Sequence, residues 1–420
     1  MARRSKSLAD KFRPEDFFGT SKGQSMPFQS RKDQFHLPDG MIYLDGNSLG
    51  PLPRAAADRV GRTMVDEWGD MLITGWNKAG WMAQPMALGD RIGRLIGAEA
   101  GHVTLGDTLS IKVFQALSAA LAMTDRKVIL SDSGNFPSDL YIAEGLIRAF
   151  DRDLELRVVA PEDVAANITD EVAVLMLTQV DYRTGRLHDM AALTAQAQAA
   201  GIVTVWDLAH SAGALAVDVA GCNADFAVGC TYKYLNGGPG APAFIYVAPR
   251  HAQTAAPVLA GWLGHDAPFA FEPTYRPGEG VARMRVGTPP VIQMAALEAA
   301  MDVWDGVDMT DIREASIALT QRFIAGVEAA CPELELASPR DPQTRGSQVS
   351  FRHTEGYAAM QACIAHGVVG DFRAPDIMRF GFTPLFIDAD DVDAAVAVIA
   401  RVMNENLWDD PQFQARSAVT

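Results

Sequence analysis

Six short apolar segments that alternate with helical patterns dominate the middle of this chain. Most of them lack a period-two pattern of polar residues and are rich in Val, Ile and Leu, which is typical of strands covered on both faces. One intervening stretch, DMAALTAQAQAAG (189–201), has helical character and ends on a glycine. This alternation predicts a doubly wound, mostly parallel α/β sheet. The six predicted strands are KVILSD (127–132), LELRVVA (154–160), EVAVLMLTQV (171–180), GIVTVWDLA (201–209), DFAVGCTY (225–232) and PAFIYVA (242–248).

The length of 420 residues predicts more than one domain, because single hydrophobic cores stop growing at about 250–300 residues. The first forty residues are polar and contain several Phe and Pro residues. We predict an N-terminal arm (1–44) packed on a small domain, a large domain (45–300) and a small α+β domain (301–420). In the small domain a strand, a helix, a strand with a turn and a closing helix are predicted at SQVSFRH (347–353), GYAAMQACIAHG (356–367), IMRFGFTPLF (377–386) and DVDAAVAVIARVMNEN (391–406).

Charge and cysteine content exclude several classes of protein. The net charge of −16 argues against sequence-independent nucleic-acid binding, which needs a basic face. The N-terminus MARRSKSLADKFRPEDFF lacks the apolar segment of a secretory signal, and no apolar run approaches the ~18 residues of a membrane span. We therefore expect a cytoplasmic protein without a membrane-spanning segment. The cysteines show no metal-ligand spacing, so we expect them to be reduced and expect no metal site; they are Cys222, Cys230, Cys331 and Cys363.

Polar side chains stand at the ends of several predicted strands, where open parallel sheets bind their ligands. Asp207 and His210 follow one strand, and Tyr232 and Lys233 end the next. An acid and a lysine at neighbouring strand ends suit pyridoxal 5'-phosphate chemistry. The lysine amine bonds to the cofactor aldehyde, and the carboxylate keeps the pyridine nitrogen protonated. The alternative is a solvated lysine followed by a simple glycine turn (237–240).

The segment GDTLSIKVFQALSAALAM (106–123) predicts a helix whose first residues are Leu109 and Ser110. Backbone N–H groups and a hydroxyl at such a helix start can hold the cofactor phosphate. Alternatively, Thr108 or Ser110 simply caps the helix. Phe136 is a candidate for stacking on the cofactor ring, although phenylalanines beside strands are more often core residues. Further polar candidates near strand ends are Ser138, Asp139 and Thr178.

Six motifs follow one another over nearly the whole chain: YLDGNSLGPLP (43–53), NFPSDLYIAEGL (135–146), WDLAHSAGAL (206–215), GCTYKYLNGGPG (229–240), GWLGH (261–265) and MRFGFTPL (378–385). In this order they resemble the kynureninase family, and its bacterial form in particular. That family consists of pyridoxal-phosphate enzymes of the aspartate-aminotransferase fold type, fold type I. The resemblance implies hydrolysis of L-kynurenine to anthranilate and L-alanine, in tryptophan catabolism.

The resemblance also implies roles for individual residues. Lys233 carries the cofactor, Asp207 pairs with its pyridine nitrogen, and Tyr232 donates a proton in the late steps. Arg379 pairs with the substrate carboxylate, because a guanidinium fork matches a carboxylate; the alternative for Arg379 is a surface salt bridge. The remaining cofactor contacts implied are Leu109, Ser110, Phe136, Ser138, Asp139, Thr178, His210 and Tyr232, together with Trp262 and Thr288 from the second subunit of a homodimer.

The resemblance also implies that Trp76 and the pair Gly287–Thr288 determine substrate selectivity, because kynureninases differ in their preference for kynurenine or its 3-hydroxy form. An apolar indole near the substrate's aromatic ring offers no partner to a 3-hydroxyl group. We therefore expect kynurenine to be a better substrate than 3-hydroxykynurenine. The alternative is that Trp76 only packs in the core.

Two other functions stay open on the sequence. The first is another fold-type-I enzyme, a cysteine desulfurase or an aminotransferase. A desulfurase needs a catalytic cysteine on a mobile loop, whereas Cys331 and Cys363 lie in helical patterns and Cys222 and Cys230 lie near the strand before Lys233. The second is a catalytically idle binding protein of the same fold, against which the intact set Lys233, Asp207 and Arg379 argues.

Overall fold

The computed structural model describes residues 28–150 and 152–415, which form two compact units. The large unit spans Leu49–Tyr182 and Arg186–Met309. The small unit comprises the described residues up to Ser48, Arg183–Gly185 and the described residues from Thr310 onward. Residues 28–44 of the predicted arm thus belong to the small unit by their contacts, while residues 1–27 lie outside the described residues. The three-part division at 44/45 and 300/301 stays a prediction.

Strands and helices are numbered here in chain order. The strands are β1 Phe35–His36, β2 Ile42–Tyr43, β3 Leu52–Pro53, β4 Val103–Leu105, β5 Val128–Asp132, β6 Glu155–Val159, β7 Val172–Thr178, β8 Val203–Asp207, β9 Phe226–Gly229, β10 Phe244–Val247, β11 Glu335–Leu336, β12 Gln348–Arg352, β13 Val368–Val369, β14 Asp371–Arg373 and β15 Ile377–Gly381. The α-helices are α1 Arg54–Arg62, α2 Gly75–Lys78, α3 Gln84–Leu95, α4 Leu109–Leu121, α5 Pro137–Ala149, α6 Met190–Ala199, α7 Val291–Asp302, α8 Met309–Ala330, α9 Gly356–Ala365 and α10 Ala389–Asn404.

The large unit contains a seven-stranded sheet in the order β4-β10-β9-β8-β7-β5-β6. Strands β5 to β9 pair in parallel, and β10 pairs antiparallel with both β9 and β4. The prediction of an α/β fold with a mostly parallel sheet is therefore confirmed. Strands β5, β7 and β9 are buried along their whole length. The prediction that 154–160 forms a buried strand is wrong, because β6 lies at the sheet edge and is partly exposed.

Helix α4 packs on the central strands β7, β8 and β9. Small residues such as Ala116, Ala119 and Ala120 are fully buried, which lets the helix lie close to the sheet. Because β4 is antiparallel to β10, it runs parallel to β9, and α4 follows β4 after a short loop. The N-terminus of α4 therefore emerges at the same sheet edge as the carboxyl ends of β5, β7, β8 and β9.

The small unit contains a four-stranded antiparallel sheet in the order β11-β12-β15-β14. Phe323 on α8 packs against the rings of Phe351, Phe380 and Phe382, with the two closest ring centroids 5.0 Å away. Helix α10 begins with a capping box, in which Asp388 accepts from the backbone of Asp391 and the Asp391 side chain accepts in return. Such a box satisfies two otherwise unpaired N–H groups. The α+β composition expected for the C-terminal part is found.

Two absences concern only the part of the chain that the structure describes. None of its helices is both long and apolar enough to cross a membrane. Over the same residues no group of three or more His, Cys, Asp or Glu side chains could hold a metal ion. The four cysteines all lie in this part, and none forms a disulfide.

Candidate active site

A buried carboxylate stands at the centre of the carboxyl edge of the large-unit sheet. Asp207 is the last residue of β8 and is only 4% exposed. Its Oδ1 atom accepts a hydrogen bond of 2.8 Å from the backbone N–H of Ala209. The parallel register pairs Asp207 with Thr178, the last residue of β7. The two predicted site residues therefore lie side by side. The Thr178 hydroxyl donates a hydrogen bond of 3.3 Å to the carbonyl of Val180.

Lys233 follows the next strand along the chain and is half-buried. Its Nζ atom lies 2.9 Å from Nε2 of His210 and 5.8 Å from the ring centroid of Tyr232. The predicted strand 225–232 is too long, because β9 ends at Gly229 and the chain then bends. Tyr232 and Lys233 therefore lie on a loop beyond β9, and the prediction that they end the strand is wrong.

The backbone of this loop is held by the first of the six motifs, YLDGNSLGPLP (43–53). Gly50 of YLDGNSLGPLP donates its N–H to the carbonyl of Tyr232 at 2.8 Å. A Cβ atom at Gly50 would lie 2.4 Å from the carbonyl oxygen of Lys233, so no side chain fits there. Only glycine permits this close approach. The motif thus supports the backbone that carries Lys233.

Two carboxyl groups, Asp139 and Asp207, share the buried edge. Burial raises the pKa of Asp139 well above its usual range, and the charge of Asp207 raises it further. Burial also raises the pKa of Asp207, to about 6, although the charge of Lys233 and the Ala209 N–H oppose the shift. Since like charges at one buried edge oppose each other's ionisation, Asp139 is the carboxyl that ionises less readily, and Asp207 beside Lys233 is the one that ionises more readily. The sequence placed both residues here but gave no sign of this division.

An anion-binding arrangement lies at the start of α4. The N-cap residue Thr108 makes no side-chain capping bond, so capping by Thr108, the alternative raised above, is not observed. The hydroxyl of Ser110 in the first turn lies 2.9 Å from that of Ser138, which belongs to the first turn of α5. Backbone N–H groups of Leu109 and Ser110, with two adjacent hydroxyls, suit a phosphate group.

The ring of Phe136 is 43% exposed, which excludes the alternative of a core phenylalanine. Its edge-to-face partner is Tyr182, with ring centroids 5.1 Å apart and an interplanar angle of 84°. Tyr182 therefore orients the Phe136 ring, and part of that ring stays exposed. Such a face can stack on a flat ligand ring.

Four further predicted residues belong to the large unit: Trp76, Trp262, Gly287 and Thr288. Trp76 on α2 is half-buried and packs edge-on against Trp81, with centroids 5.9 Å apart. Trp262 packs edge-on against Phe269, also with centroids 5.9 Å apart. Gly287 and Thr288 lie on an exposed loop. Within the described residues, none of these four has a hydrogen bond or ring contact to Lys233 or Asp207, so their roles stay predictions.

Arg379 belongs to the small unit, on β15, and is 1% exposed. Its Nε donates to Oδ1 of Asp371 at 2.7 Å, and its Nη2 donates to the hydroxyl of Ser48 at 2.6 Å and to Oδ2 of Asp371. Burial opposes ionisation of Asp371, yet the charge of Arg379 keeps the pKa of Asp371 below its usual value. The alternative of a surface salt bridge is therefore wrong. Asp371 and Ser48 were not predicted as site residues.

The large-unit cluster was tested for its fit to pyridoxal phosphate. Lys233 supplies an amine next to a buried carboxylate, and the uncapped start of α4 offers an anion site. In addition, Oδ2 of Asp139 is buried and has no hydrogen-bonding partner among the described residues. Buried polar atoms are normally paired, so an orphan at this position is suited to a ligand. The donor set fits the cofactor.

The four cysteines are the alternative nucleophiles that a desulfurase would need. Burial raises the pKa of Cys222 to about 11, and it raises the pKa values of Cys331 and Cys363 to about 12. Burial also raises the pKa of Cys230. Reactive cysteines need a lowered pKa, because the thiolate is the attacking form. None of the four has the environment of a desulfurase nucleophile.

Fold and site together define a class, the pyridoxal-phosphate-dependent enzymes of fold type I. Solved structures with this fold include the apo cysteine desulfurase from Thermococcus onnurineus NA1, with a TM-score of 0.74 and 17% identity over 89% of this chain and 98% of that one. A C-DES variant with glycine covalently linked to its PLP cofactor has a TM-score of 0.73 and 18% identity, over 89% of this chain and 99% of that one. At these identities the likeness shows the fold alone.

Sequence comparison identifies the family. A family model described as the kynureninase C-terminal domain matches residues 312–399. The kynureninase of Burkholderia pseudomallei (strain K96243) is 50% identical over 402 residues, which are 94% of this chain and 97% of that protein. The kynureninase of Deinococcus radiodurans is 50% identical over 386 residues, 90% of this chain and 94% of that protein. The chain belongs to the kynureninase family, and the predictions of a hydrolytic enzyme with pyridoxal 5'-phosphate as cofactor are confirmed.

Proposed function

We propose that this chain hydrolyses the Cβ–Cγ bond of L-kynurenine, which gives anthranilate and L-alanine in tryptophan catabolism. The observation that carries the proposal is the juxtaposition, at one sheet edge, of the Lys233 amine with the buried carboxylate of Asp207. Membership in the kynureninase family supports the choice of substrate. The four unpaired cysteines suit a cytoplasmic location.

Pyridoxal phosphate, when bound, supplies an electron sink for charge that develops on the substrate carbons. Lys233 would hold the cofactor covalently, and ionised Asp207 would keep the pyridine nitrogen protonated. Ser110, Ser138 and the uncapped start of α4 would hold the phosphate. Phe136 would cover one face of the ring. The further cofactor contacts we propose from this chain are Thr178, Asp139, His210 and Tyr232.

The chain's own residues would carry the protons. Lys233, once its amine is released from the cofactor, would take the α-proton of the substrate. The 2.9 Å contact to Nε2 of His210 would keep that amine oriented. Water adds to the aryl ketone, and the Cβ–Cγ bond then breaks. Tyr232 suits the late proton transfer to the alanine carbon, because burial raises its pKa above the ordinary value and keeps the phenol protonated.

Arg379 would bind the substrate carboxylate, and its surroundings support that role. Asp371 holds the guanidinium through Nε and Nη2, and Ser48 adds a third polar contact. An arginine fixed in this way loses little side-chain entropy when a carboxylate binds. Asp371 would thus position Arg379 for the substrate.

Substrate preference gives a first prediction. We expect kynurenine to be the better substrate, because an indole at Trp76 leaves a 3-hydroxyl of 3-hydroxykynurenine without a partner. An unpaired buried hydroxyl costs about 1–3 kcal/mol, so kcat/KM should differ about tenfold to a hundredfold. The measurement compares kcat/KM for both substrates in the wild type and in Trp76→His.

The control for this prediction is Trp81→Phe, which changes the ring that packs against Trp76 without adding a polar group. It should leave the ratio of kcat/KM values nearly unchanged. Equal values for the two substrates in the wild type would contradict the prediction. So would a Trp76→His variant whose ratio does not move towards 3-hydroxykynurenine.

A homodimer with shared active sites is also proposed, with Trp262 and Thr288 serving the partner's phosphate site. Two stretches of the large unit expose large apolar side chains, which monomers rarely do over a continuous surface. These side chains are Met64, Val65, Trp68, Leu72 and Ile73 in one stretch, and Val258, Trp262, Phe269, Phe271 and Tyr275 in the other.

The assembly prediction concerns dilution. If a second subunit completes the phosphate site, dilution to monomer should release the cofactor and abolish turnover. Sedimentation velocity across a concentration series, followed at the visible absorption of the bound cofactor, makes the measurement. A monomer that stays saturated with cofactor and active would contradict the shared site.

The proposed function is tested by assaying the purified protein with L-kynurenine and, separately, with L-cysteine. Anthranilate fluorescence and equimolar alanine from kynurenine are expected, with no sulfide from cysteine. Sulfide release would instead support a desulfurase. A protein that binds pyridoxal phosphate but turns over neither compound would support the idle binding protein.

A further inference from the structure

A buried ionic cluster at the end of β5 takes no part in the proposed reaction. Asp132 is fully buried, and its Oδ2 atom lies 2.5 Å from Nε2 of His188 and 3.4 Å from Nη2 of Arg186. His188 is also buried. Because a carboxylate only accepts, both neighbours donate to it. Asp132, Arg186 and His188 are called the Asp132 cluster here.

The other oxygen of Asp132 holds the loop that leads to the proposed cofactor contacts. Its Oδ1 accepts from the backbone N–H of Gly134 at 2.8 Å. A Cβ atom at Gly134 would lie 2.7 Å from Oδ2 of Asp181 and 3.2 Å from Oδ1 of Asp132. The turn therefore lies between two carboxylates, and a side chain at Gly134 would require the Asp181 carboxylate to shift. Directly after it come the proposed cofactor contacts Phe136, Ser138 and Asp139.

The two basic members of the cluster, Arg186 and His188, come from a different segment, residues 179–188. His188 donates its backbone N–H to the carbonyl of Gln179 at 2.9 Å, and Asp181 donates its own to the carbonyl of Arg186 at 2.8 Å. This pairing continues β7 and returns 186–188 to the end of β5. The same segment supplies Tyr182, whose ring packs against Phe136. The segment thus touches the loop at two separate points.

We propose that the Asp132 cluster positions the loop 133–139 for the cofactor, with Asp132 and His188 as positioning residues. The inference rests on the proposed function, because it assigns the loop to the cofactor site. An unheld turn would have to be ordered when the cofactor binds, which lowers affinity, whereas a preorganised one avoids that cost. Removing one hydrogen-bond donor from a buried carboxylate leaves that oxygen without its partner, so the loop should loosen.

The large unit contains a matched control with the same chemistry. Oδ1 of Asp225 lies 2.7 Å from Nε2 of His251 and 2.6 Å from Nη2 of Arg250. Its Oδ2 accepts a backbone N–H, that of Thr204, at 2.9 Å. Asp225 directly precedes β9, so this second cluster lies at the amino edge of the parallel strands, opposite the proposed site. A substitution in this second cluster therefore shows how much of an effect is a general loss of stability and how much is specific to the cofactor loop.

The experiment compares His188→Leu with His251→Leu in the full-length protein. Apoenzyme is titrated with pyridoxal phosphate to obtain the Kd, and hydrogen exchange of peptides covering 131–140 is followed by mass spectrometry. His188→Leu should raise the Kd about tenfold or more, the scale of one lost hydrogen bond to a charged group, and should speed exchange in these peptides. His251→Leu should change neither, and His188→Gln, which keeps an N–H donor, should recover most of the affinity.

Equal changes of Kd in the two leucine variants, or an unchanged Kd in His188→Leu, would overturn the inference. If His188→Leu does not fold, Asp132→Asn replaces it, and there an unchanged Kd with unchanged exchange overturns it. Measurements on the wild type distinguish failure of the proposed function from failure of the positioning role. A wild type that binds the cofactor but does not cleave kynurenine contradicts the proposed function, while the effect of His188→Leu on the Kd still tests the positioning role.

Discussion

Replacing Lys233 with alanine is expected to abolish kynurenine turnover while the fold stays intact. Only the amine that bonds to the cofactor and moves the α-proton is lost. The side chain is half-buried on a loop, where its amine contacts Nε2 of His210 and lies over the ring of Tyr232, so little packing energy goes with it. Anthranilate formation measures turnover, and circular dichroism with thermal unfolding measures the fold.

Lys112 provides the control for this prediction, because it is the other lysine buried in the large unit. It is 0% exposed, and burial lowers its pKa to about 8, which alone would suit a covalent catalyst. However, its Nζ is bound by Oε1 of Gln115 at 2.9 Å and by the carbonyl of Met284 at 3.3 Å. Lys112→Met should therefore keep the visible absorption of the bound cofactor. Turnover in Lys233→Ala above a small fraction of wild type would mean that another lysine carries the cofactor.

The elements that the sequence predicted correctly are those governed by local pattern. Continuous apolar runs marked β5, β7 and β8, and polar residues at their ends marked Asp207 and Thr178. The end of β9 was misplaced because tertiary contacts decide it. Gly229 lies where a Cβ atom would come 2.4 Å from the ring of Phe244, and beyond it the chain leaves the sheet. The hydrophobic pattern of residues 225–232 does not show that the strand ends at Gly229.

The supporting residues of the site could not be predicted, because they depend on contacts distant in sequence or on burial. Asp371 faces Arg379 only because β14 and β15 pair in a register that aligns the two residues. The orphaned oxygen of Asp139 and the raised pKa values of Asp139 and Asp207 arise from burial, which a sequence does not display. The sequence held one signal of such a contact, Gly50 in YLDGNSLGPLP, since a glycine often marks a close approach of two backbone segments.

Asp207→Asn is expected to lower kcat by about 10²-fold or more, the order seen when a buried electrostatic stabiliser of a transition state is removed. The amide keeps the shape of the carboxylate but not the charge that holds the pyridine nitrogen protonated. Anthranilate formation at saturating cofactor measures the change. An unchanged kcat would show that Asp207 is structural. Asp139→Asn is the control, because burial and the charge of Asp207 raise the pKa of Asp139, so a neutral amide there should cost far less.

The pH dependence of cofactor binding gives the same prediction a second readout. Burial raises the pKa of Asp207 to about 6, so in the apoenzyme the carboxylate gains a proton as the pH falls through that value. Protonated Asp207 cannot pair with a pyridinium, and the cofactor affinity of the wild type should therefore be highest above pH 6 and fall below it. Asp207→Asn should bind more weakly at neutral pH and lose this step. A wild-type affinity that is flat across pH 6, or a step that persists in Asp207→Asn, would assign the titration to another group.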